Sequence, residues 1–75
     1  MPQATAEWTV ARVKDELPDV PVRRFGGGTV NAKLTGRLNR FATLTMPGQG
    51  GMWVTFEVAW ETVVSCLNHS RPVTA

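Results

Sequence analysis

Thr29–Met46, TVNAKLTGRLNRFATLTM, is the stretch whose reading decides the fold. Val30, Ala32, Leu34, Gly36 and Leu38 are apolar or small, and Ala42, Leu44 and Met46 resume the same even register. Asn31, Lys33, Thr35, Arg37, Asn39, Thr43 and Thr45 occupy the odd positions. A period of two maintained over this length predicts β-structure with one buried face. Arg40 and Phe41 interrupt the period, which places a bend or turn there.

Three constructions fit that interruption. A two-residue turn at Asn39 and Arg40 pairs Leu38 with Phe41 and Leu34 with Thr45, setting apolar against polar on each face. A three-residue loop of Asn39, Arg40 and Phe41 pairs Leu38 with Ala42, Gly36 with Leu44 and Leu34 with Met46, which keeps one face dry, although such loops favour glycine or asparagine at the last position. A single long strand bent near Gly36 or Arg40 is the third.

Working outward, residues 5–17, TAEWTVARVKDEL, read as an amphipathic helix. At about 100° per residue, Ala6, Val10, Val13 and Leu17 form one stripe, with Thr5 as N-cap, Glu7 in the first turn and Pro18 as terminator. Trp8 projects opposite the stripe near Arg12. It either packs against a neighbouring loop or, with Arg12, marks a partner interface. Residues 19–25, DVPVRRF, suit a short extended segment in which Pro21 specifies an edge strand or a strand entrance. Gly26, Gly27 and Gly28 form a hairpin loop. A phosphate-cradling role beside Arg23 and Arg24 lacks the following Lys-Ser or Lys-Thr and the helix that such loops need.

Pro47–Gly51, PGQGG, is a turn. Met52, Val54, Phe56 and Val58 then alternate with Trp53, Thr55 and Glu57 to give another strand, so that strands occupy residues 20–58. From Ala59 the period lengthens: Trp60, Val63, Val64 and Leu67 predict a short helix over 59–68, with Asn68 as C-cap. Residues 71–75 form a brief closing strand or fray.

The expected fold class is therefore mainly β (α+β), a single domain spanning residues 1–75: a small antiparallel barrel of four to five strands, with an N-terminal helix and a short helix before the last strand. Gly36-Arg37-Leu38 followed by Phe41 resembles the Gly-x-Leu-x-x-Phe portion of the first Sm motif, and the element order is similar to SH3-like and Sm-like small barrels. Ala42 and Thr43 stand where that motif continues with Asp, so the RNA-binding loop of the Sm group is not carried over.

Seventy-five residues give a core near the lower limit for self-sufficiency. Cys66 is the sole cysteine and His69 the sole histidine, which excludes an internal disulfide and a structural zinc site built from these residue types. Self-association, as a homo-oligomer, is the remaining source of stability. The chain begins Met-Pro-Gln without a basic, apolar leader and has no apolar run of membrane-spanning length, so a cytoplasmic location and no membrane partner are expected.

Catalysis is not expected. His69 lies in a polar turn, Glu57 and Glu61 are solvated, and neither Ser65 nor Cys66 has an adjacent base. No cofactor or metal is implied. Between Val20 and Phe56 the chain carries Arg23, Arg24, Lys33, Arg37 and Arg40 and no acidic residue. Lys33, Arg37 and Arg40 are the expected phosphate contacts for DNA or RNA, extended by Arg23 and Arg24, with Trp53 as a stacking platform. The competing expectation is a self-associating interaction, inhibitor or adaptor module that binds an acidic protein surface through the same patch.

Overall fold

The structure, a computed structural model, describes residues 7–24 and 26–74, without the side chain of Gln49. Its elements run α1 (Val10–Glu16), β1 (Val20–Arg23), β2 (Thr29–Thr35), β3 (Phe41–Pro47), a single 3-10 turn (Gln49–Gly51), β4 (Trp53–Ala59), α2 (Trp60–Asn68) and β5 (Val73–Thr74). The five strands lie in the order β4-β3-β2-β1-β5 in a sheet curled into a half-barrel.

Strand parity explains the core. Val20 and Val22 of β1, Ala32 and Leu34 of β2, and Ala42, Leu44 and Met46 of β3 are buried on the inner face. Val13 of α1 and Trp60 and Val63 of α2 complete the same cluster, so both helices cover that face. Each larger buried side chain contributes about 1.5–3 kcal/mol by leaving water, and the cluster holds the helices to the sheet.

The β2–β3 hairpin keeps apolar opposite apolar, with Leu34 paired to Leu44 and Thr35 to Thr43. This register lies two residues from the one that a three-residue loop would give, because the chain turns earlier. Gly36 adopts φ +62°, and the Asn39 N–H donates to its carbonyl at 2.9 Å, closing a turn over residues 36–39. Leu38, expected on the inner face, is instead 94% exposed at the tip of this turn. Phe41 is the first residue of β3 and faces outward.

Four further expectations are corrected. The first helix starts at Val10, with Thr9 as N-cap accepting from the Arg12 N–H at 3.1 Å. Thr5 and Ala6 lie outside the described residues, and Trp8 precedes the helix, so its position opposite the stripe does not apply. Leu17 is not a helical core residue; it is the C-cap at φ 50° and half-exposed, immediately before Pro18.

The second correction concerns β1, which is an inner strand where β5 pairs with Val22 and Arg23, so that of the two readings of Pro21 the strand entrance stands and the edge strand does not. Pro21 is accommodated by alternation. The Arg24 N–H bonds the Gly28 carbonyl at 2.9 Å, so the even residues of β1 direct their backbone groups to β2 and Pro21 directs its missing donor away. Beyond β1, β5 pairs only with Val22 and Arg23.

Third, the sheet is not wholly antiparallel, since β5 runs parallel to β1. β1 to β4 form an antiparallel meander. α2 then starts directly from Ala59, crosses the inner face and contacts β4, β3 and β5, delivering Val73 to the opposite edge.

Asn68 ends α2 but is not its cap; His69 holds that position. The Asn68 side chain instead brackets Trp8, its Oδ1 accepting from the Trp8 N–H at 2.7 Å and its Nδ2 donating to the Trp8 carbonyl at 3.0 Å. Among the described residues no helix is long and apolar enough to cross a membrane.

Candidate nucleic-acid interface

The odd positions of the strands build the outer face. Lys33 of β2 stands opposite Thr45 of β3, and Thr45 opposite Thr55 of β4. The two threonine hydroxyls lie 3.2 Å apart. The next row holds Thr35, Thr43 and Glu57, with the Thr35 hydroxyl donating to the Thr43 carbonyl at 3.4 Å. Toward one end of the face Trp53 pairs with Pro47, and at the other Phe41 pairs with Ala59. Trp53 is 67% exposed and Phe41 47%. Six residue steps along the strands separate the two rows, a span of about 20 Å.

The predicted cations occupy three places. Lys33 projects from the middle of the outer face. Arg37 and Arg40 are exposed in the 36–40 turn, so Arg37 does not continue the Lys33 strand row as the alternation implied. That turn is anchored from below: the Trp60 indole N–H donates to the Asn39 carbonyl at 3.0 Å, linking the buried start of α2 to the loop that carries both arginines. Arg23 is exposed near the opposite end, where it shares an open cleft with Ser65, Cys66 and Arg71. Arg24 is half-buried beside the glycine loop, whose three glycines all have positive φ and which is closed by the Arg24–Gly28 bond. This is a hairpin connection.

The acid-free stretch of sequence is not acid-free in space. Asp19 Oδ1 lies 3.6 Å from Lys33 Nζ, both side chains being largely exposed, and Glu57 shares the outer face. Antiparallel pairing sets residues from before and after the basic span alongside it. The face is thus threonine-rich and amphipathic, with exposed aromatic rings toward both ends and cations at its middle and rims.

Trp8 and Arg12, the expected partner contacts, are engaged within the chain. Trp8 is half-buried against the core, the Arg12 guanidinium lies 4.0 Å over its ring, and Arg12 Nε donates to Glu16 Oε2 at 2.7 Å. His69, exposed as expected of a turn residue, places Nδ1 2.8 Å from the Ser65 carbonyl. Among the described residues no three His, Cys, Asp or Glu side chains are grouped to hold a metal ion.

Phe41 was missed as a surface aromatic because the three-residue loop put it in the turn; its odd number, continuing the outward register, is the signal that identifies it. Asn68 had no local signal, since its partner is 60 residues away.

No protein-family model, no curated protein and no solved structure matches this chain.

Proposed function

We propose that this protein is a non-enzymatic nucleic-acid-binding module that takes a single strand across the outer face of its half-barrel. One observation carries the reading: two exposed aromatic rings, Trp53 and Phe41, lie on the face that bears Lys33 and adjoins the Arg37/Arg40 turn. Aromatic rings stack on unpaired bases whatever their identity, and each such contact is worth about 1–3 kcal/mol. The threonine hydroxyls and Asn31 between them offer hydrogen bonds to sugar and base edges, and Lys33, Arg37 and Arg40 offer charge to phosphates. A duplex presents no free base faces to such rings, so single strands are the preferred class.

The four-stranded antiparallel meander supports an SH3-like or Sm-like use of the curled sheet, and the parallel β5 is where the chain departs from that plan. Glu57 and Asp19 disfavour a phosphate path along the centre of the face. The phosphates run instead from Lys33 along β2 to the 36–40 turn.

Fluorescence anisotropy of labelled oligothymidine over a salt series tests this. Binding weakens with salt, and Lys33→Ala with Arg37→Ala reduces the slope of log K against log salt by about 1.4, two contacts at about 0.7 each. Trp53→Ala and Phe41→Ala each lower affinity at all salt concentrations without changing that slope. Absence of binding at low salt, or equal affinity for duplex and single strand, rejects the proposal.

A further inference from the structure

β4 is built as an edge that is not defended. It has β3 on one side and, among the described residues, no strand on the other. Exposed edges in soluble proteins are commonly blunted by being short, bulged, or interrupted by proline or lysine. β4 is seven residues long, pairs with β3 in unbroken register from Trp53 to Ala59, and contains neither proline nor a basic residue. Its flank is also apolar, with Met52 72% and Val54 40% exposed on the side that elsewhere faces the core. At the other edge β5 spans Val73–Thr74 among the described residues.

The direction of the free backbone groups follows from one bond. The Gly48 N–H donates to the Met52 carbonyl at 2.6 Å, and these residues continue the β3–β4 register. In an antiparallel ladder the bonding side alternates, so Met52, Val54, Phe56 and Val58 are directed to β3. Trp53, Thr55 and Glu57 direct their N–H and carbonyl groups outward, as does the Ala59 N–H, while the Ala59 carbonyl is taken up as N-cap by the first turn of α2. These are the unpaired groups of the edge.

We infer that β4 is the seam of a twofold dimer, in which it pairs antiparallel with β4 of a second copy of this chain and joins the two half-barrels into one ten-stranded sheet. Side-chain parity and charge choose the register. Phe56 opposite Phe56 of the second copy sets Val54 against Val58 on the inner side, and Trp53 against Ala59 and Thr55 against Glu57 on the outer side. All four outward-directed residues then lie in hydrogen-bonded pairs, for about six new backbone bonds, the Ala59 carbonyl of each copy being held by α2. A shift of one residue sets the apolar side of one copy against the polar side of the other. A shift of two either brings Glu57 against its own copy or leaves the end of the strand unpaired. Because the pairing is isologous it consumes the long edge of both chains, and the assembly closes at two.

Sedimentation equilibrium of the full chain over a concentration series measures this directly, without nucleic acid, and so stands apart from the outer-face binding assay. The wild type is a dimer. Thr55→Pro removes an outward N–H while leaving the β3 ladder intact, and Val54→Lys places an inward charge on the edge. Each variant is a folded monomer by sedimentation and circular dichroism. Thr55→Lys meets Glu57 of the second copy twice per dimer and tightens the dimer about fivefold, whereas Thr55→Glu weakens it. A monomeric wild type, a larger oligomer, or a dimer indifferent to both Thr55→Pro and Val54→Lys overturns the inference. So does tightening by Thr55→Glu, which would place Thr55 against a different neighbour.

Discussion

Replacing Gly36 with alanine tests how the arginine-bearing turn is made. Gly36 sits at φ +62°, a left-handed conformation that costs an L-residue about 1–2 kcal/mol. A Cβ added there would also lie 2.7 Å from Asn39 Nδ2 and 2.9 Å from Thr43 Oγ1. The Asn39 amide can swing aside at small cost. Thr43 belongs to β3 and is half-buried, so displacing its hydroxyl forces an unfavourable rotamer worth about 0.5–1.5 kcal/mol. Alanine restricts the unfolded chain and recovers about 0.4–1 kcal/mol. The net destabilisation is about 2 kcal/mol, which lowers the melting temperature of a chain this size by about 8–16 °C.

Gly50 supplies the control, because it has a similar φ of 70° and, among the described residues, nothing lies within 4 Å of a Cβ added there. Gly50→Ala therefore carries the conformational cost without the collision. Urea unfolding followed by circular dichroism, with thermal melts alongside, measures both variants. Gly36→Ala should be the more destabilised by about 1 kcal/mol. Equal losses at the two glycines would refute the packing of Asn39 and Thr43 against the turn, and no loss at either would refute the left-handed geometry itself.

Other perturbations follow from particular contacts. Asn68→Ala removes both bonds to the Trp8 backbone and should cost about 1–3 kcal/mol, with increased hydrogen exchange at Trp8, whereas an Asn68 that served only as a helix terminus would leave Trp8 unaffected. Trp60→Phe keeps most of the apolar body but leaves the Asn39 carbonyl without its indole donor; stability should fall by about 1 kcal/mol or more, and relaxation dispersion should show the 36–40 turn becoming mobile. Asp19→Asn disconnects an exposed ion pair with Lys33, so stability should stay within about 0.5 kcal/mol of wild type in a urea melt. The same change should raise oligothymidine affinity by removing a negative charge beside Lys33.

The sheet was legible where burial imposes a period of two, and the parity rule correctly set Leu34 on the same face as its cross-strand partner. The register itself was not legible, because Gly36 and Leu38 continue the even apolar pattern into a turn where one has a positive φ and the other lies in solvent. α2 could be read from the spacing of Trp60, Val63, Val64 and Leu67. The start of α1 could not, since Thr5 and Thr9 are both competent caps and the choice rests on tertiary contacts of Trp8. The parallel course of β5 depends on where α2 delivers the chain, which no local pattern encodes. For the candidate interface, the residue types were visible but their neighbourhood was not: charge read along the chain omitted Asp19 and Glu57, which the sheet brings across it.

The pairing of Val22 with Val73 and the Asn68 bracket on Trp8 join residues 8–22 to residues 68–73. β1 and the segment before α1 are therefore completed by residues far along the chain. During synthesis β1 lacks its outer neighbour, and the segment before α1 lacks its clasp, until residues 68–74 are available. Such non-local closure raises the loop entropy that must be overcome before contacts reward it. Folding should consequently be a single cooperative event, in which neither the meander alone nor the helices alone form a stable intermediate.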